Sequence, residues 1–112
     1  MQRIVPRIVL RVLICFGLLS SSSFFLQAQG DSATLYKARC ALCHAADGGG
    51  DSPSGKAMKA KDLRSDETQK ETDAELTEVI SKGRGKMPVF AQKLKPEQIQ
   101  QLVAYVRQLG KK

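Results

Sequence analysis

The 112-residue chain has no tryptophan, two tyrosines, four phenylalanines and a single histidine. With so little aromatic mass, and with basic residues that do not interleave with aromatics, it lacks the stripe that binds nucleic acid. One histidine, His44, excludes any two-histidine metal site within the chain. There are three cysteines, and Cys15 stands far from Cys40 and Cys43, so a structural zinc site with four Cys or His ligands is excluded as well. No apolar run reaches the ~20 residues of a membrane-spanning helix. No segment alternates apolar and polar residues in the way a half-buried strand does.

What is present divides the chain in two. Arg3, Arg7 and Arg11 make a basic start, Val12 to Leu19 is apolar throughout, and Ser20 to Ser23 closes the run. This is the pattern of an export signal, with cleavage after Ala28, placing Leu26 at the minus-three position, or after Gly30, placing Ala28 there. Bulky Ile14 before Cys15 argues against lipidation there. The expected destination is a bacterial periplasm, and the expected domains are a leader over 1–30 and a folded part over 31–112. Three of the 18 basic residues leave with the leader and all 11 acidic residues follow it, so the net charge falls from +7 to +4. That balance suits encounter with a protein partner better than binding to nucleic acid.

The run Cys40-Ala41-Leu42-Cys43-His44 carries the chemistry. Cys-X-X-Cys-His is the attachment signature of a c-type haem. On a helix, residues three and four apart share a face, so Cys40, Cys43 and His44 project to one side. Two thiols can then form thioethers with the haem vinyl groups while the imidazole reaches the iron. A redox dithiol would sit after a strand in a βαβ pattern, which is not seen, and a simple disulfide leaves His44 unexplained. The cofactor expected is one covalent haem c.

After the leader, roughly 80 residues remain, a size at which side chains alone make a marginal core. A buried haem supplies the missing apolar mass, so the chain without it is expected to be largely unfolded. Asp31 and Ser32 read as caps of a first helix that runs into the haem motif. Ala46 to Gly55 reads as loop, its three consecutive glycines marking close approach of backbone to another group, the haem edge being the candidate. Ser65 to Lys70 can form one or two helical turns. Thr72 to Glu75 is a capping box ahead of Leu76, Val79 and Ile80, and Gly83 ends that helix. Pro96 opens a last helix with Ile99, Leu102, Val103, Val106 and Leu109 on one stripe. The fold expected is all-α, three to five short helices around one haem.

The iron needs a sixth ligand, and its identity separates electron transfer from chemistry on small molecules. Beyond the leader the choice is Met58 or Met87. Met87 precedes Pro88, which keeps it on extended or turn backbone, and Gly83 and Gly85 let that segment fold over a flat ring. Met87 is the expected ligand, opposite His44; Met58 is the expected packing residue.

With these motifs in this order, Asp31 to about Gly110 resembles a class I c-type cytochrome, most closely the small bacterial monohaem ones. In those proteins Leu63, the segment Asp73 to Gly83, and Met87-Pro88-Val89-Phe90 have counterparts. The resemblance implies a monomeric one-electron carrier, not an enzyme, that meets redox partner proteins briefly in a respiratory chain. It implies that Leu35 and Tyr36 cross Leu102 and Tyr105, and that the carbonyl of Pro53 accepts a hydrogen bond from His44. Other classes stay open: a haem subunit or sensor docked on a larger enzyme, or an open-site haem binding gas or peroxide. The last lacks a second histidine or other distal acid–base residue.

Overall fold

The structure, a computed structural model, describes residues 23–112, with side chains from residue 31 onward. The expected leader therefore lies largely outside the described residues. Those described form six helices and no strand: α1 (Ser23–Arg39), α2 (Ala41–His44), α3 (Pro53–Met58), α4 (Asp66–Lys70), α5 (Asp73–Lys82) and α6 (Pro96–Leu109). Among the described residues no helix is long and apolar enough to cross a membrane.

The stripe on α6 organises the core, because Ile99, Leu102, Val103, Val106 and Leu109 are all buried. Tyr36 of α1 lies against this stripe, 2% exposed, with its ring centroid 4.9 Å from that of Tyr105. The expected crossing of first and last helices is thus formed. From the other side, α5 contributes Leu76 and Ile80, and the returning loop adds Phe90 and Leu94. The Phe90 and Ala91 amides donate to the carbonyls of Ile80 and Ser81, which fixes that loop beneath the end of α5. At the start of α5 the Thr72 hydroxyl accepts from the Glu75 amide and the Glu75 carboxylate accepts from the Thr72 amide, the reciprocal pair expected from sequence.

Two boundaries differ from the sequence reading. Asp31 and Ser32 do not cap a helix, since α1 begins at Ser23 and continues through them, with Ser32 buried at 4% exposure. The loop read to Gly55 ends earlier, since Pro53 to Gly55 open a helix that runs to Met58: Ser52 caps it, accepting from the Gly55 amide, and Pro53 takes the first position, where its missing N–H costs nothing. The glycine-rich composition just before it masks this start signal.

Arg107 ties α6 to the turn between α4 and α5. Its guanidinium donates to the carbonyl of Gln69 (2.9 Å), to the carbonyl of Glu71, and to the Asp73 carboxylate (2.9 Å). Beside it, the Gln69 side-chain amide donates to the carbonyls of Leu63 and Val106, at 2.7 and 3.0 Å. Arg107 satisfies carbonyls at the end of α4 that the helix itself leaves open, while the Val106 carbonyl also accepts from the Gly110 amide.

Candidate haem site

The helical path breaks at Cys40, which has φ −117° and ψ −37° and stands between α1 and α2. The Cys40 amide still donates to the Tyr36 carbonyl (2.8 Å) and the His44 amide to the Cys40 carbonyl (2.9 Å), so the motif keeps helical spacing across the break. The two thiols and the imidazole therefore lie on consecutive turns of one short segment. At its end Ala45 turns to φ 62°, and the Tyr36 hydroxyl donates to its carbonyl at 2.7 Å. Burial, helped by the neighbouring Cys40 and Tyr105, pushes the Tyr36 hydroxyl well above its usual pKa, so it stays a donor.

Helix α3 is docked on the back of the motif. The Ser52 hydroxyl donates to the Leu42 carbonyl (2.7 Å) with the Cys43 carbonyl 3.1 Å away, and accepts from the Gly55 amide at 2.9 Å. One side chain thus caps the end of α2 and the start of α3. Only glycine fits at position 55: a Cβ there would stand 2.0 Å from the Cys43 carbonyl oxygen. The glycine run serves the same close packing. Gly50, at φ +73°, brings its backbone against the Ala60 and Lys61 carbonyls, where a Cβ would meet oxygen at 2.7 and 3.0 Å. These approaches are to protein backbone.

The His44 Nδ1 atom lies 3.0 Å from the Lys61 carbonyl oxygen. A carbonyl only accepts, so the contact assigns the proton to Nδ1 and leaves the Nε2 lone pair free to bind a metal. This corrects the expectation for Pro53. Pro53 opens α3, and the loop from Ala60 to Leu63 is the segment that runs past the imidazole, held by the Leu63 amide on the Gly48 carbonyl (2.7 Å) and the Ala60 amide on the Gly55 carbonyl (2.8 Å).

Cys40, Ala41, Leu63 and Met87 are each partly buried against the one hydrophobic core. Met58 is not among them and is 42% exposed, so it does not fill the core. Met87 sits in a turn closed by its own amide on the Arg84 carbonyl (3.0 Å), with Gly83 at φ +76° packed against the Met87 carbonyl. Lys86 reaches the Ala57 carbonyl at 3.4 Å, linking this turn to the end of α3. Leu42 in the motif, Met58 at the end of α3 and Val89 after Met87-Pro88 are the exposed large apolar residues among those described.

This donor set fits a haem. Cys40 and Cys43 are free thiols, and His44 has the tautomer an iron ligand needs. Among the described residues no three His, Cys, Asp or Glu converge as a metal cluster would require. Burial, and then a charge on Cys43, push the Cys40 thiol up to about 11, opposite to the lowered thiol of a dithiol oxidoreductase. Sequence reading singled out the Cys40–His44 motif; it missed Lys61, Ser52 and the Tyr36 hydroxyl. Two of these act on, or through, backbone carbonyls, which leave no residue-type signal. The third had one: Ser52-Pro53 is a helix-start pair.

The chain is similar to known proteins. Residues 27–106 match the family described as cytochrome c oxidase, cbb3-type, subunit III. Cytochrome c6 of Aphanizomenon flos-aquae is 38% identical over 77 residues, covering 66% of this chain and 82% of that protein. Cytochrome c6 of Gloeothece citriformis is 29% identical across 100% of this chain and 98% of its own length. Among solved structures, the KustC0563 c-type cytochrome superposes with a TM-score of 0.65 at 33% identity, covering 70% of this chain and 96% of that one. The family match over residues 27–106 and the 38% identity to a cytochrome c6, on an all-helical frame that carries the Cys40, Cys43 and His44 motif, show that the chain belongs to the c-type cytochromes, the small haem proteins that carry electrons.

Proposed function

We propose that this cytochrome is a periplasmic one-electron carrier holding a single haem covalently through Cys40 and Cys43, with His44 and Met87 as axial ligands. When bound, the haem supplies an iron that accepts and releases one electron. The chain's own residues set the conditions. Lys61 orients the imidazole and, by accepting its Nδ1 proton, makes it a stronger electron donor. Met87 offers a thioether, which favours the reduced state relative to a second nitrogen. Leader removal after Ala28 or Gly30 shortens α1 to a helix beginning near Asp31, leaving Tyr36 and its partners in place. Exposed apolar residues on the motif and on the methionine turn suit brief contact with redox proteins as a monomer, through a small interface.

The observation that carries this reading is the His44–Lys61 contact, because it prepares the imidazole for iron. The test is a visible spectrum of protein exported to the periplasm, reduced and oxidised, with mass spectrometry of the intact chain. The expected result is a six-coordinate low-spin haem, the weak far-red band of methionine-ligated ferric iron, and a mass one haem above the processed chain. A spectrum of five-coordinate iron, or haem lost on denaturation, overturns it. A second reading is favoured by the description of the matching family: a haem subunit docked on a larger oxidase. A stoichiometric complex that survives purification at high salt selects that reading.

A further inference from the structure

Two arginines from different elements converge on Glu71, the first of two residues between α4 and α5. From α6, Arg107 holds its backbone carbonyl. From the methionine turn, Arg84 lays a two-pronged fork on its carboxylate, Nη1 to Oε1 at 3.0 Å and Nη2 to Oε2 at 3.2 Å. The carboxylate side is the more sheltered, 24% exposed against 55% for Arg84. The ends of this segment are tied to α5, the Gly83 amide on the Val79 carbonyl and the Phe90 and Ala91 amides on Ile80 and Ser81, but few bonds hold the stretch between them. The Lys86 contact with Ala57 is long at 3.4 Å, and the Met87 amide bond to Arg84 lies within the turn itself. On either side of Arg84, Gly83 and Gly85 have φ +76° and +58°, backbone that glycine adopts without strain. Between those ties, Arg84 is the charged contact that holds the middle of the turn against the rest of the protein.

We propose that the Arg84–Glu71 pair is a clamp that positions Met87, with Arg107 keeping the clamp's anchor in register with the core. Neither residue touches the iron; both are positioning residues. This rests on the reading of Met87 as the iron ligand. A bidentate, charge-assisted pair with one partly sheltered partner is stronger than an ordinary surface ion pair, so its loss raises the open fraction of the turn roughly fivefold.

The experiment uses ferric holoprotein and the variants Arg84→Gln and Glu71→Gln; the second leaves the backbone carbonyl for Arg107. Added imidazole competes with the methionine, and its entry is followed by loss of the far-red band. Entry is expected to be roughly fivefold faster in both variants, to quicken with salt in the wild type only, and to return toward the wild-type rate in the charge-swapped pair Arg84→Glu with Glu71→Arg. Lys82→Gln, which breaks the Lys82–Glu78 pair on the exposed face of α5, leaves the rate unchanged. Amide hydrogen exchange over residues 83–90 rises by a similar factor in both clamp variants. Wild-type rates of imidazole entry and exchange in both variants overturn the clamp. If the wild type has no far-red band, the axial-ligand reading fails, and exchange over 83–90 alone decides whether the pair holds the turn.

Discussion

The imidazole Nδ1 of His44 donates to the main-chain carbonyl of Lys61, seventeen residues further along the chain, at 3.0 Å. The oxygen is held in place by backbone packing, above all by Gly50, which passes within contact of the Ala60 and Lys61 carbonyls. Gly50→Ala at φ +73° is expected to cost about 1–2 kcal/mol of backbone strain and to push the Lys61 carbonyl away. A weaker Nδ1 bond makes the imidazole a poorer donor to ferric iron, so the reduction potential rises. Denaturant unfolding and a redox titration of the holoprotein check the two effects; a lowered potential contradicts the account.

Met87 and Met58 separate cleanly. Replacing Met87 by Ala is expected to abolish the far-red band of the ferric protein, because Met87 alone of the two packs on the core beside Cys40. Replacing Met58, 42% exposed, leaves the band intact. The reverse pattern identifies Met58 as the ligand.

Tyr36 gives a pH signature. Its hydroxyl is buried and donates to the Ala45 carbonyl, so its folded-state pKa is raised, chiefly by burial. In the unfolded chain the same hydroxyl ionises near 10. Below that value the pair of states holds equal protons and stability does not depend on it; above, the unfolded state loses its proton first and stability falls as pH rises. Tyr36→Phe is expected to cost about 1 kcal/mol at neutral pH and to flatten the alkaline decline, read from denaturation midpoints across pH 8 to 11. An alkaline slope unchanged in the variant excludes Tyr36 as its source.

Arg107 joins α6 to the turn between α4 and α5 through three acceptors. Arg107→Met removes donors from the Gln69 and Glu71 carbonyls and from Asp73, and is expected to destabilise the fold by about 2 kcal/mol. Arg107→Lys recovers only part, because an ammonium cannot serve all three acceptors with one planar fork. Thermal unfolding of the holoproteins measures both. A lysine variant as stable as the wild type refutes the role given to the fork.

Removing both thiols, Cys40→Ala with Cys43→Ala, is expected to leave the chain largely unfolded. Far-ultraviolet circular dichroism with native helix content contradicts this.

The parts of the fold that were legible in sequence are those written in local patterns. The Thr72–Glu75 box, Pro96 at the head of α6 and its apolar stripe all depend on residues within a few positions of one another. Even the crossing of Tyr36 with Tyr105 was anticipated, though from likeness to a family rather than from any local signal. Asp31 and Ser32 are good caps, yet in the full chain α1 starts at Ser23 and runs through them. The partner of His44 was misassigned because a main-chain oxygen looks the same at every residue, and only the path of the chain selects Lys61 over Pro53. The Arg107 and Gln69 bonds span more than thirty residues and have no pattern in sequence at all.

The crossing of α1 with α6 has a consequence for the order of folding. Tyr36 and Tyr105, whose rings meet, lie far apart along the chain, and Cys40 and Ala41 pack on a core to which α6 gives Ile99, Leu102, Val103, Val106 and Leu109. Until α6 docks, half of that core is missing and the Cys40 side chain stays open to solvent. Docking of the closing helix is therefore the step that shelters the motif's first cysteine.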